Sequence, residues 1–303
     1  MKLIVSLCNK KASVNKERDT KMLYPNVFLL EVDTEKEQVK PIKINWWTWK
    51  PKGITGLAPY KNGFLCLLQA KSHKLFYIDK KYTLIKKWKL NKVKDGHSIV
   101  VYNEKIYIAS TGNDSIVEMH PDTSTEQIFW QANNNKKDTI HLNSIIWHED
   151  EMIISAFGQK SGDRWITAKN GFLKNIHKDK IIKNHLFHPH TILKTSDGIF
   201  FCESARKRIV NLDNNNILSL KAGYVRGLAI TDEEIAIAIS HARKRSKSTG
   251  KLNDMDDELM KSFQVGCGIN VYKRYGNEIN KAKFTKFIDI YPFSNEIYDL
   301  LLI

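Results

Sequence analysis

GHSIVVYNEKIYIAS, residues Gly96–Ser110, reads as an apolar run, a tight polar turn at Asn103-Glu104-Lys105, and a second apolar run. The phrase recurs as ITGLAPYKNGFLCLLQ (Ile54–Gln69), HLNSIIWHEDEMIIS (His141–Ser155), HPHTILKTSDGIFFCES (His188–Ser204) and VRGLAITDEEIAIAIS (Val225–Ser240). Successive copies mostly begin about 35–47 residues apart, the period of a β-propeller blade. Weaker strand–turn–strand stretches follow some of the copies: Lys74–Leu90, Ser115–Trp130 and Arg208–Ala222. Four strands per unit is the arithmetic of a propeller.

The predicted blades span 52–92, 95–133, 140–186, 187–222 and 223–290. A sixth needs strands from both chain ends. EIYDLLLI (Glu296–Ile303) has the form of an innermost strand, and KLIVSLC (Lys2–Cys8), NVFLLEVD (Asn26–Asp33) and VKPIKIN (Val39–Asn45) supply the rest. Residues 1–303 are therefore expected to form a single all-β, six-bladed β-propeller domain. Its first blade would be shared by 1–45 and 296–303, which leaves no open sheet edge. An insertion at 243–263 interrupts the last blade, and Leu252–Phe263 within it has helical spacing.

Composition excludes several classes. No run of 18 apolar residues exists, so no membrane helix is expected. The apolar stretch of MKLIVSLCNKK is too short for a secretory signal and has no small-residue cleavage site. A cytoplasmic protein is expected. Cys8, Cys66, Cys202 and Cys267 form no CxxC pair and read as reduced, buried thiols, with glycine-flanked Cys267 the candidate for exposure. The net charge of +15 comes mainly from lysine spread along the whole chain, which argues against nucleic acid as the principal partner and fits attraction of small anions. The dense cluster is His241–Lys251. There is no G-x-S-x-G elbow, Walker loop, G-x-G-x-x-G or HExxH, so no nucleotide cofactor is expected. The aromatic cluster Trp46-Trp47-x-Trp49 suits packing between blades better than stacking on a sugar.

Repetition decides where the chemistry goes. In a propeller the starts of the innermost strands and the ends of the second strands meet around one channel mouth. The first set holds Asp95, His97, His141, Asn143, His188, His190, Arg226, Glu296, Tyr298 and Asp299; the second holds Asn9, Gln69, Glu203, His241 and Arg243. His97, His141, Asn143, His190 and Arg226 are read as equivalent positions. Imidazoles from separate blades suit a divalent ion such as Zn²⁺, Fe²⁺ or Mn²⁺, with His141, His188, His190 and His241 as candidate ligands. Glu203 is the candidate general base or anchor for such a site. Arg226 and Arg243 would hold an anion by bidentate hydrogen bonds. Asn143, His97 and Glu296 would complete the substrate contacts, and Tyr298 would donate a proton or bind a sugar hydroxyl. Against this stands a plainer reading, in which each histidine bonds a neighbouring blade's carbonyl.

The phrases resemble an uncharacterised bacterial family known only as a domain of unknown function. The resemblance rests on His141-Leu142-Asn143-Ser144, Pro189-His190-Thr191, Arg226–Ala229, Ser240–Arg243, Cys267-Gly268 and Glu296–Asp299, in that order, over roughly residues 50–303. His188 departs from the aliphatic residue of many relatives and His241 from their lysine. The family implies a site without implying its reaction. The fold is also similar to six-bladed sugar-lactonase and strictosidine-synthase-type propellers, some of which hold a divalent ion through carboxylate and amide ligands. That set does not map onto these histidines.

The function expected from these residues is a metal-dependent hydrolase, lyase or isomerase acting on a small anionic, sugar-like metabolite. A non-catalytic binding module is the alternative, and a nucleic-acid binder working through Arg243–Lys251 the third reading.

Overall fold

The computed structural model describes residues 1–8, 27–44, 51–134, 137–241, 266–290 and 292–303. Asn9, the Trp46–Trp49 cluster, Arg243, the basic cluster beyond His241 and the 243–263 insertion lie outside the described residues.

The described strands form six four-stranded sheets, and the chain is an all-β, six-bladed β-propeller. The first blade runs β24 (Ile297–Leu302), β1 (Lys2–Leu7), β2 (Leu29–Asp33), β3 (Gln38–Pro41). β1 pairs antiparallel with β24, so one blade is built from both chain ends as the pattern predicts. The second blade holds β4 (Gly53–Tyr60), β5 (Gly63–Gln69), β6 (Lys74–Asp79) and β7 (Leu84–Lys89). The third holds β8 (Gly96–Tyr102), β9 (Lys105–Ser110), β10 (Ser115–Met119) and β11 (Glu126–Gln131). The fourth holds β12 (Leu142–His148), β13 (Glu151–Ala156), β14 (Gly171–Asn175) and β15 (Lys180–Leu186). The fifth holds β16 (Pro189–Thr195), β17 (Gly198–Glu203), β18 (Arg208–Asn211) and β19 (Ile217–Ser219). The sixth holds β20 (Tyr224–Ile230), β21 (Glu234–Ser240), β22 (Gly268–Lys273) and β23 (Lys283–Asp289).

The blades fall into two compact units, Met1–Lys137 with Ile290–Ile303, and Asp138–Asp289. Each contains three blades. Apolar cores form between successive blades: Leu65, Leu67, Ile99, Ile106 and Ile108 in the first unit, Phe200, Ile209, Leu228, Ile235 and Ile237 in the second. This explains why the second strands, such as FLCLLQ in β5, are apolar without alternation: both faces of the sheet are covered by neighbours. Each large aliphatic side chain so enclosed contributes roughly 1.5–3 kcal/mol. The outermost strands β7 and β15 are mostly exposed, and their lysines face solvent. Asn103-Glu104 and Glu149-Asp150 both take positive φ at the hairpin tips, the two-residue turn that matches strand twist. All four cysteines are buried thiols outside any disulfide, and Cys267 has no exposed surface, so the glycines beside it do not open it to solvent. Among the described residues no helix is long and apolar enough to cross a membrane.

Every innermost strand carries a β-bulge at the same place, where two of its residues oppose one on the next strand. Tyr298-Asp299 oppose Ser6, Thr55-Gly56 oppose Leu67, and His97-Ser98 oppose Ala109. In the second unit Asn143-Ser144 oppose Ser155, His190-Thr191 oppose Cys202, and Arg226-Gly227 oppose Ala238. A bulge re-aims the side chain it carries. The second residue of each pair is small or an acceptor because it meets the next blade. Asp299 Oδ2 accepts the Leu57 amide at 3.1 Å, Ser144 Oγ accepts that of Ile192 at 3.0 Å, and a Cβ on Gly56 would sit 3.2 Å from the Ile99 nitrogen.

Candidate functional site

The bulges sort the predicted residues. Tyr298, Thr55 and His97 hold the first bulge position in the first unit; Asn143, His190 and Arg226 hold it in the second. His141 and His188 stand two residues earlier, level with Asp95, and these three share left-handed φ values of 54°, 55° and 49°. The expectation that His141 and Asn143 are equivalent is therefore corrected: they occupy two successive tiers of the same strand entry. Histidine and aspartate tolerate this backbone better than bulkier residues.

In the second unit the structure brings His141, His188, His190 and Arg226 around one aromatic cluster. The Phe157 ring stacks on His188 at 4.4 Å and 9°, meets His190 edge-on at 5.0 Å, and lies 4.6 Å from His141. Trp165 covers His141 from 4.4 Å, and Lys160 Nζ sits 4.8 Å from the Trp165 ring. Tyr224 packs on His190 at 5.5 Å, and the Arg226 guanidinium lies 5.5 Å from the Tyr224 ring, a cation–π distance.

Hydrogen bonds fix the imidazole tautomers, since a carbonyl or carboxylate oxygen can only accept. His188 donates from Nε2 to the Trp165 carbonyl at 2.9 Å, so its Nδ1 is the acceptor for the Tyr224 hydroxyl, also at 2.9 Å. His190 donates from Nδ1 to the His188 carbonyl at 3.1 Å and to Ser204 Oγ at 2.7 Å, whose own proton goes to the Val225 carbonyl. The His190 lone pair is thus on Nε2. His141 donates from Nδ1 to the Asp138 carboxylate at 3.0 Å, which leaves its lone pair on Nε2 as well. Burial lowers the His188 pKa to about 3, and burial reinforced by the Arg226 charge holds His190 well below the usual imidazole range. Both rings are neutral at physiological pH.

Glu203 is fully buried, yet both oxygens are engaged within its own blade: Oε1 by the Phe187 amide at 2.8 Å and Arg206 at 2.6 Å, Oε2 by Arg208 at 2.6 Å. Its visible work is to tie the loop before β16 to β18. His241 is buried at the end of β21. His97, Glu296 and Tyr298 belong to the first unit, where the His97 and Tyr298 rings are 5.9 Å apart. Of the four candidate metal ligands, His188 has both ring nitrogens engaged by protein groups. Among the described residues no group of three or more His, Cys, Asp or Glu side chains is arranged to hold a metal ion.

Sequence reasoning missed Asp138, Phe157, Trp165, Ser204 and Tyr224. Asp138-x-x-His141 carried a signal in its spacing, and Tyr224 could have been found by aligning the blades two residues ahead of Arg226. Ser204 follows His190 by the same interval as Thr111 follows His97, and each hydroxyl meets its histidine's Nδ1.

Solved structures share the architecture at low identity. A nidogen/laminin complex chain matches with a TM-score of 0.63 and 9% identity, over 99% of this chain and 97% of that one. A candidate 6-phosphogluconolactonase from Bacteroides fragilis NCTC 9343 matches with a TM-score of 0.52 and 12% identity, over 100% of this chain and 97% of that one. Such likeness shows the fold and no more. No curated protein matches the chain. The family model of a domain of unknown function, DUF4915, matches residues 65–303, and the chain belongs to that family.

Proposed function

We propose that the second unit carries an acid–base site for a small anionic, ring-bearing or sugar-like metabolite, and that the protein is an enzyme performing hydrolysis, elimination or isomerisation there. The observation that carries this reading is the Asp138–His141 pair set beside neutral His190 and cationic Arg226. A carboxylate on Nδ1 stabilises the imidazolium that forms when Nε2 takes a proton, so His141 is the proton carrier. His190 lacks such a partner and stays neutral, which suits an acceptor that positions a substrate hydroxyl. Arg226 and Lys160 supply the positive field for an anion, and Phe157, Trp165 and Tyr224 supply flat apolar surface. Glu203 holds the loop that presents His188. A divalent ion (Zn²⁺, Fe²⁺ or Mn²⁺) would have to draw its protein ligands from His141 and His190, with substrate or water completing the shell. The four buried thiols, none of them in a disulfide, support a reducing compartment such as the cytoplasm.

The test is to incubate the purified protein with pooled sugar acids, lactones and sugar phosphates and follow them by mass spectrometry. Consumption of one compound should vanish in His141→Gln and fall at least about a hundredfold in Asp138→Asn. Arg226-dependent binding without any turnover replaces the enzyme with the binding module; no Arg226-dependent binding defeats both. Elemental analysis of the same preparation decides whether an ion accompanies the imidazoles.

A further inference from the structure

Among the polar residues of the second unit's bulges, Asn143 carries a buried amide. It is only 5% exposed, and its Nδ2 has no hydrogen-bond partner among the described residues. A buried amide donor left unpaired costs about 1–3 kcal/mol, so such a group calls for a reason. The repeat supplies one. Fourteen residues after His97 and His190 stand the hydroxyls of Thr111 and Ser204, which hold the bulge side chain from the end of the second strand. Fourteen residues after Asn143 stands Phe157, whose ring cannot bond an amide. The internal partner has been replaced by one wall of the aromatic cluster, and Asn143 keeps a donor for something else.

Asn143, His190 and Arg226 occupy the same register position on β12, β16 and β20, and these strands neighbour one another in turn. The trio therefore offers an amide donor, a neutral acceptor and a guanidinium cation, in that order. A phosphate dianion presents acceptors only and leaves the His190 Nε2 lone pair facing another lone pair. A plain carboxylate does the same. A carboxylate with a hydroxyl on the adjacent carbon satisfies all three groups: its oxygens accept from Asn143 and Arg226, and its hydroxyl donates to His190. We infer that the ligand of this site is a small 2-hydroxycarboxylate, its remaining bulk packed on the aromatic rings around Asn143, His190 and Arg226. This inference rests on the acid–base reading of the same site and narrows its substrate class.

Three probes with one phenyl ring separate the two readings: mandelate, phenylacetate and phenyl phosphate, each titrated calorimetrically at pH 7.5. Mandelate should bind about tenfold or more tightly than phenylacetate, the difference being one hydroxyl, and more tightly than phenyl phosphate. Asn143→Ala should weaken mandelate about tenfold, and Asn143→Asp, which sets a carboxylate against a carboxylate, should abolish binding while the unfolding midpoint stays near wild type. Equal affinity for mandelate and phenylacetate overturns the hydroxycarboxylate, as does preference for phenyl phosphate; in both cases Arg226-dependent binding leaves the anion site standing. Failure of all three probes, or binding indifferent to Arg226→Gln, overturns the inference and the site together.

Discussion

In the first unit His97 bonds the Asp95 carbonyl at 2.8 Å and the Thr111 hydroxyl at 2.8 Å; in the second, His190 bonds the His188 carbonyl at 3.1 Å and the Ser204 hydroxyl at 2.7 Å. The two histidines sit on the same bulge, in the same tautomer, held by the same pair of groups. Their surroundings differ. His97 is half-buried with Tyr298 for a neighbour, whereas His190 is enclosed by Phe157, Tyr224 and His188. The tier two residues earlier differs too: Asp95 is engaged by Gln69, while His141 and His188 carry imidazoles onto the aromatic cluster. One backbone device therefore holds a half-buried ring in one unit and an enclosed ring in the other. Neighbours decide which.

The contrast predicts opposite responses to pH, and the largest effect lies in the second unit. His188 has a folded pKa lowered to about 3 against 6.5 for the free group, so its contribution is fully present above pH 6.5 and is lost as pH falls toward 3. Between those limits His188 alone is worth about 5 kcal/mol, of which about 2–3 kcal/mol is lost by pH 4.5. Native-state hydrogen exchange, corrected for intrinsic rate, should show β16 and β20 losing protection between pH 7 and 4.5, and His188→Gln should flatten that loss. Undiminished protection at pH 4.5 breaks the comparison.

The first unit should behave in the other sense. Burial pushes Asp299 up to about 7, against the pull of the Leu57 and Leu300 amides toward the anion. A carboxyl raised in the fold stabilises below its free pKa near 4 and loses that contribution as pH rises to about 7. Asp299→Asn keeps an acceptor for the Leu57 amide and removes the charge. It should match wild type at pH 4 and exceed it at pH 8, by as much as about 4 kcal/mol, in urea unfolding. An equal effect at both pH values refutes the assignment.

A third experiment concerns Glu203, expected from sequence to be a general base or an anchor. Truncating it leaves Arg206 and Arg208 without their buried partner, and Glu203→Ala should cost about 3 kcal/mol by urea unfolding. If Glu203→Gln is as stable as wild type yet abolishes turnover, the catalytic role returns and the anchoring role falls.

Much of the fold was legible because a blade is a local unit, and the hairpin of each phrase fixes its own register. The shared first blade was readable for the same reason: Glu296–Ile303 repeats the inner-strand pattern. The imidazole site was half legible. His141, His188, His190 and Arg226 stood out because polar residues interrupted otherwise apolar strand starts. Their partners did not. Asp138 precedes the strand in a polar loop, Trp165 lies in the long β13–β14 connection, and Phe157 looks like any core residue until aligned with Thr111 and Ser204. The partners of Glu203 were not legible, because strand position shows where a side chain begins and not which arginines reach it.

The smallest effect tests the device itself. Ser204→Ala removes one of two acceptors for the His190 Nδ1 proton and the donor to the Val225 carbonyl, in a fully buried setting. Thr111→Val removes the matching group beside half-buried His97. The first should cost about 1–3 kcal/mol and the second about 1 kcal/mol or less, because water can replace a lost partner only where it can reach. In both variants ¹⁵N spectra of the side chains should retain the Nδ1–H tautomer, since the backbone carbonyls of His188 and Asp95 still only accept. A wild-type protein with His190 protonated at Nε2 would invert donor and acceptor at the bulge. The His190 lone pair would then lie on Nδ1, turned toward the His188 carbonyl, and Nε2 would offer a ligand only a donor.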